Sequence, residues 1–114
     1  MNEFTTKVIA VIKKIPRGKV AAYSQVAALA GKPHAARGVA WILNTCSKKY
    51  ALPWHRVVNS KARISFRTGS PQFRMQRRLL LAEKIAVEAD GTILMKYVWK
   101  KKPSRPRNRP RMFG

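Results

Sequence analysis

The sequence predicts a mainly α-helical domain built around a helix-turn-helix, with a small sheet or wing. Three observations carry that expectation. Apolar residues recur at helical spacing in residues 3–15, 34–46 and 72–85. The tight Gly31-Lys32-Pro33 turn separates two short helical segments, the outline of a helix-turn-helix corner. Asp90-Gly91, a hairpin-type turn pair, lies between two short runs with strand character.

Taken in order, the first helix places Phe4, Val8, Val11, Ile12 and Ile15 on one face. Pro16-Arg17-Gly18-Lys19 ends it and turns the chain. Val20 to Tyr23 is extended, and Ser24 is placed to cap a helix from Gln25 to Ala30. The next helix, from His34 to Cys46, carries Val39, Ile42 and Leu43 on its apolar side. Residues 47–62 read as loop and extended chain. Arg63-Ile64-Ser65-Phe66 alternates as a strand does, and Thr68-Gly69-Ser70-Pro71 breaks it. A basic helix follows over 72–85, with Phe73, Leu79, Leu80 and Leu81 as its apolar side. The Asp90-Gly91 turn then joins residues 86–88 to 93–99.

A chain of 114 residues can bury one core. With 25 Lys and Arg against 4 acids, the formal charge is +21. That excess attracts a polyanion, with nucleic acid the leading partner. No apolar run approaches a membrane span, and Met1-Asn2-Glu3-Phe4 has no signal pattern. The single Cys46 excludes an internal disulfide, and with two histidines it makes no zinc site; no metal or cofactor is expected. The expected location is intracellular: cytoplasmic and nucleoid-associated in a bacterium, nuclear in a eukaryote. Residues 100–114 hold Lys100, Lys101, Lys102, Arg105, Arg107, Arg109 and Arg111 without an acid, punctuated by Pro103, Pro106 and Pro110. They read as a disordered basic arm after a folded body of residues 1–99.

The most informative stretch is Pro53-Trp54-His55-Arg56-Val57. It has the outline of a reactive-cysteine site with tryptophan at the nucleophile position. A thiolate can accept an alkyl group; an indole is flat and apolar and cannot. With Ile15-Pro16-Arg17-Gly18-Lys19-Val20, Tyr23-Ser24-Gln25-Val26-Ala27, Ala36-Arg37-Gly38-Val39, Leu52 before the motif, Val58-Asn59 after it and Leu80-Leu81-Ala82-Glu83, it resembles the DNA-binding domain of the O6-alkylguanine-DNA alkyltransferases. Trp54 makes it most similar to their non-enzymatic relatives, the alkyltransferase-like proteins. The resemblance spans residues 3–99 and implies a winged helix-turn-helix without the separate N-terminal domain of the enzymes.

The resemblance also implies roles. An alkyl group on guanine O6 lies inside the stacked duplex, so the nucleotide must be rotated out to be gripped. Tyr23 is expected to crowd the phosphate beside it, and Arg37 to fill the vacated stack. Small residues at Ala35, Ala36 and Gly38 would let the recognition helix approach the minor groove. Trp54, Arg67, Tyr23 and His55 are expected to form the lesion pocket, with Arg67 laid over the base. Phe66 is unusual beside it. Arg56, Asn59 and Glu83 are expected to support the pocket, His55 and Glu83 matching the pair that activates the enzymes' cysteine. Cys46, at the position of a hinge asparagine, reads as a small buried helix-end residue.

The implied partners are double-stranded DNA containing O6-alkylguanine and nucleotide excision repair proteins, with the protein acting as a monomer. Two other readings compete with this one. The first is an enzyme: an alkyltransferase using Cys46, or a glycosylase or endonuclease. Against it stand the missing thiol in the motif and the presence of only Glu3, Glu83, Glu88 and Asp90 as acids. The second is a general basic helix-turn-helix binder or regulator without lesion specificity.

Overall fold

The structure, a computed structural model, describes residues 2–103. The arm from 104 onward lies outside the described residues. Four α-helices dominate: α1 (Glu3–Lys14), α2 (Tyr23–Leu29), α3 (Ala36–Tyr50) and α4 (Pro71–Ala82). Two-residue strands β1 (Ala21–Ala22) and β2 (Val57–Val58) pair in parallel, and short 3-10 turns occupy Trp54–Arg56 and Met95–Tyr97.

Local chemistry sets each boundary. Asn2 caps α1, its Oδ1 accepting from Thr5 N at 2.8 Å. Helix α2 starts two residues earlier than the sequence suggests. Ser24 is not its cap; Ala22 holds that place, and the Gln25 side-chain oxygen accepts from Ala22 N at 3.3 Å. Helix α3 runs one turn past Cys46, because Lys48 and Lys49 suit a helix C-terminus and Tyr50 packs on the core. It stops where Ala51 adopts a left-handed conformation, φ 52°. Cys46 is therefore inside a helix and partly buried, not at its end. Ser70 caps α4 through Phe73 N at 3.1 Å with Pro71 in the first turn, and Lys84 at φ 66° closes the helix end before Ile85.

The core has two halves. Val8, Ile9, Ile12, Val26, Val39, Ile42 and Leu52 pack α1 to α3 together. Val20, Ile64, Phe73, Leu80, Ile85, Val87 and Ile93 pack α4 beneath the wing. The strands lie between: Ala21 and Val57 face the first half, Val58 the second, as the two-residue period of a strand requires.

The wing is slighter than expected. Arg63–Thr92 and Val87–Ile93 form single antiparallel bridges, and the chain leaves the pairing after Ile64. Ser65 and Phe66 turn to the pocket described below. At its centre Gly91 has φ 92°, and a Cβ there would lie 2.8 Å from the Phe73 ring, so only glycine fits.

Candidate functional site

Glu83 organises the site loop. It is 8% exposed and follows the last turn of α4. Its carboxylate accepts from Gly18 N at 2.9 Å, from Arg56 Nη2 at 2.8 Å, from Arg56 Nε at 3.0 Å to either oxygen, and meets His55 Nε2 at 2.6 Å. Burial pushes its pKa up, but the hydrogen bonds from Arg56, Gly18 and His55 outweigh this and hold it down at about 2. The carboxylate stays ionised, so His55 Nε2 carries the proton between them. Arg56 Nη1 also donates to Ile15 O at 2.9 Å. Helix α1, the Pro16–Lys19 turn, the Trp54–Arg56 turn and α4 are thus tied at one point.

The next tie is Gln76, 1% exposed on α4. Its Nε2 donates to His55 O and Val57 O, both at 3.0 Å. Two carbonyl acceptors fix which end of the amide is nitrogen, which leaves Gln76 Oε1 buried without a partner. Asn59 closes the far side of the loop, its Oδ1 accepting from Lys61 N at 2.9 Å and Arg63 N at 3.1 Å.

Held in this way, Trp54 walls a cavity of about 360 Å³ between α3, α4 and the chain after β2. Tyr23, Ala40, Leu43, Asn44 and Ser47 line one side; Val57, Phe66, Gln72 and Gln76 line the other. Trp54 meets Phe66 edge-on, ring centres 6.3 Å apart and planes at 82°. The Tyr23 hydroxyl bonds Ser65 Oγ at 3.0 Å, joining α2 to the loop across the opening. Ser47 Oγ is the second buried polar atom without a partner among the described residues, and it lines the same cavity. The walls are aromatic and apolar, with a few polar groups left to be satisfied by an occupant. No thiol lines it: Cys46 packs against the helical core. Among the described residues no three His, Cys, Asp or Glu cluster as metal ligands do.

Of the residues expected at the pocket, Tyr23 and Trp54 line the cavity. His55 stands behind Trp54, rings 6.2 Å apart and at 87°, and is turned to Glu83. Arg67 is exposed and outside the lining, next to Phe66, which is within it. Arg37 is exposed in the first turn of α3, with Ala35 at its N-cap and Ala36 its first residue. Gly38 packs against α1: a Cβ there would lie 3.3 Å from Phe4 Cε2, an internal reason for its size. Gln76 is missing from the sequence-based set. A polar residue at the 73/76/80 spacing of a buried helix face was the signal that could find it. Ser47 is missing because the sequence pattern ended α3 at Cys46, and Asn44 because it lies off the apolar face of Val39, Ile42 and Leu43 by which that helix was read.

Residues 3–85 match the family described as 6-O-methylguanine DNA methyltransferase, DNA binding domain. The DNA base-flipping protein of Escherichia coli (strain K12) is 43% identical over 99 residues, covering 86% of this chain and 75% of that protein. Alkyltransferase-like protein 1 of Schizosaccharomyces pombe is 34% identical over 105 residues, 88% of this chain and 97% of that protein. Among solved structures, S. pombe Atl1 in complex with damaged DNA containing O6-carboxymethylguanine aligns with a TM-score of 0.75 at 35% identity, over 89% of this chain and 98% of that one.

Proposed function

The chain belongs to the 6-O-methylguanine DNA methyltransferase DNA-binding-domain family, among its alkyltransferase-like members, and on that premise we propose that it binds O6-alkylguanine in double-stranded DNA, takes the rotated base into the Trp54 cavity and leaves the alkyl group in place. The observation that carries the reading is the cavity itself: about 360 Å³, walled by Trp54, Tyr23 and Phe66, and free of any thiol. That volume is near the lower end of the roughly 300–1,000 Å³ usual for small-molecule sites, a fit for one base.

Each residue then has a task. Tyr23, tethered to Ser65 at the opening, crowds the phosphate of the target nucleotide. Arg37 projects from the first turn of α3 and fills the vacated stack. Trp54 receives the base, and Arg67 swings from solvent to lie over it. His55, Arg56, Asn59 and Glu83 hold the loop rigid so that binding does not have to order it. The net charge of +21 supplies the non-specific attraction to phosphates. The bound, bent lesion is then passed to nucleotide excision repair proteins.

The test is a comparison of affinities for two duplexes that differ only in guanine or O6-methylguanine at one position. Tighter binding to the lesion is expected. Equal binding favours the general basic helix-turn-helix reading, for which the charge alone speaks.

A further inference from the structure

Helix α3 carries three distinct faces. Val39 and Ile42 go into the core. Ala40, Leu43, Asn44 and Ser47 line the cavity. Arg37, Trp41 and Lys48 are all exposed, and at steps of four and seven residues they fall on one stripe beside the cavity face. Trp41 is 63% exposed. Tryptophan is the side chain with most to gain from burial, yet among the described residues no aromatic ring pairs with this one and most of its surface faces solvent. It was absent from every role that the sequence pattern assigned.

The surroundings of Trp41 identify what covers it. Helix α3 contains no acid, and its outward side chains include Arg37, Lys48 and Lys49. The occupant therefore carries negative charge and also offers a flat apolar surface. It must sit at the mouth of the cavity as well, because Asn44, three residues on from Trp41, lines that cavity. A duplex delivering a base to the cavity meets all three conditions. Phosphates face the cations, and base and sugar surfaces between them face the indole.

We propose that Trp41 is a second contact with the duplex, an apolar wedge set against the base step beside the one from which the nucleotide leaves. It lies one turn beyond Arg37, about 6 Å along the helix axis, or between one and two base steps of about 3.4 Å. Arg37 fills the gap that rotation leaves. Trp41 holds the neighbouring step open, and so contributes to the bend. This inference rests on the duplex-binding reading above and adds a residue that the reading does not require.

The experiment compares wild type, Trp41→Ala and Trp41→Leu on duplexes carrying guanine or O6-methylguanine, measuring Kd, its salt dependence, and end-to-end energy transfer across the DNA. Trp41→Ala is expected to weaken lesion binding about tenfold, in keeping with the loss of one stacked aromatic contact. It should also straighten the DNA. The slope of log K against log salt should not change, because no charge is removed. Trp41→Leu should recover part of the bend, since an aliphatic side chain can still wedge a base step. Unchanged affinity and bend in Trp41→Ala would overturn the proposal and leave the indole to a protein partner. A shallower salt slope would overturn it too, by showing that phosphate contacts and not a wedge were lost. Failure of the lesion-binding reading shows separately, as equal binding of the two duplexes by wild type.

Discussion

Glu83 and Gly18 stand 65 residues apart in the chain and 2.9 Å apart in the fold. That bond, with those from His55 and Arg56, makes one carboxylate the meeting point of α1's exit turn, the Trp54 loop and the end of α4. His55 and Glu83 are in contact at 2.6 Å, and the residue ahead of His55 is an indole. The work of that pair in this chain is to hold the loop.

Acid should release that hold. The Glu83 carboxyl titrates near 2 when folded, against 4.5 ordinarily. A depressed carboxyl contributes its full stability above about 4.5, and loses it as pH falls from there toward 2. Thermal melts of wild type and Glu83→Gln across that window should converge as pH drops. At neutral pH Glu83→Ala should cost about 3–5 kcal/mol, the penalty of leaving a buried partner such as Arg56 uncompensated.

Opening the duplex and gripping the base should fail separately. Arg37→Ala is expected to weaken binding to a paired lesion more than to one already unpaired, where unstacking is partly done. Trp54→Ala should cost roughly 1–3 kcal/mol in both contexts, the worth of stacking on a flipped base. A fluorescent base analogue at the lesion reads the difference. Equal losses everywhere would make Trp54 a core residue instead.

Truncation after Pro103 removes Arg105, Arg107, Arg109 and Arg111. It spares the bonds from Gln25 Nε2 to Trp99 O at 2.7 Å and Lys101 O at 3.1 Å. Affinity for damaged and undamaged duplexes should fall together, and the salt slope should flatten by up to about 0.9 per lost phosphate contact. A selective loss of lesion binding would place the arm inside the recognition site.

Incubation with O6-methylguanine DNA should leave the intact mass unchanged. Trp54 cannot accept the methyl group, and Cys46 packs against the helical core. A stoichiometric gain of one methyl on Cys46 would establish transfer.

Gln76→Leu keeps the bulk on α4 but strips His55 O and Val57 O of their shared donor. About 1–3 kcal/mol of stability should be lost for the carbonyls left unpaired. Lesion affinity should drop with it, as the Trp54 wall loosens. Full affinity in a stable Gln76→Leu protein would remove Gln76 from the site.

Much of this molecule was legible from spacing. Val8, Ile12, Val39, Ile42 and Phe73 repeat at helical intervals and are buried as that repeat demands. Asp90-Gly91 turns where its backbone preferences say it should. What escaped depends on partners distant in sequence. Ser24 looks like a cap, yet Gln25 reaches back to Ala22 and starts α2 earlier. The strand expected over residues 63–66 gives way after Ile64, as Ser65 goes to Tyr23 and Phe66 to Trp54. Within the site, Trp54 stood out because Pro53-Trp54-His55-Arg56-Val57 has the outline of a reactive-cysteine motif. Gln76 did not, because a glutamine in a basic helix is unremarkable until its burial is known.

Gly91 sits in the wing, apart from the residues that wall the Trp54 cavity, yet it is coupled to them mechanically. A side chain there would strike Phe73, one helical turn before Gln76 on the same rigid rod. Relieving that clash would require the Phe73 ring to move, and Phe73 shares α4 with the amide that anchors the Trp54 loop. The shape of the chamber therefore depends on a residue remote from it: glycine at 91 lets Phe73 and Ile64 close over the wing, and so lets α4 lie where Gln76 can reach the loop.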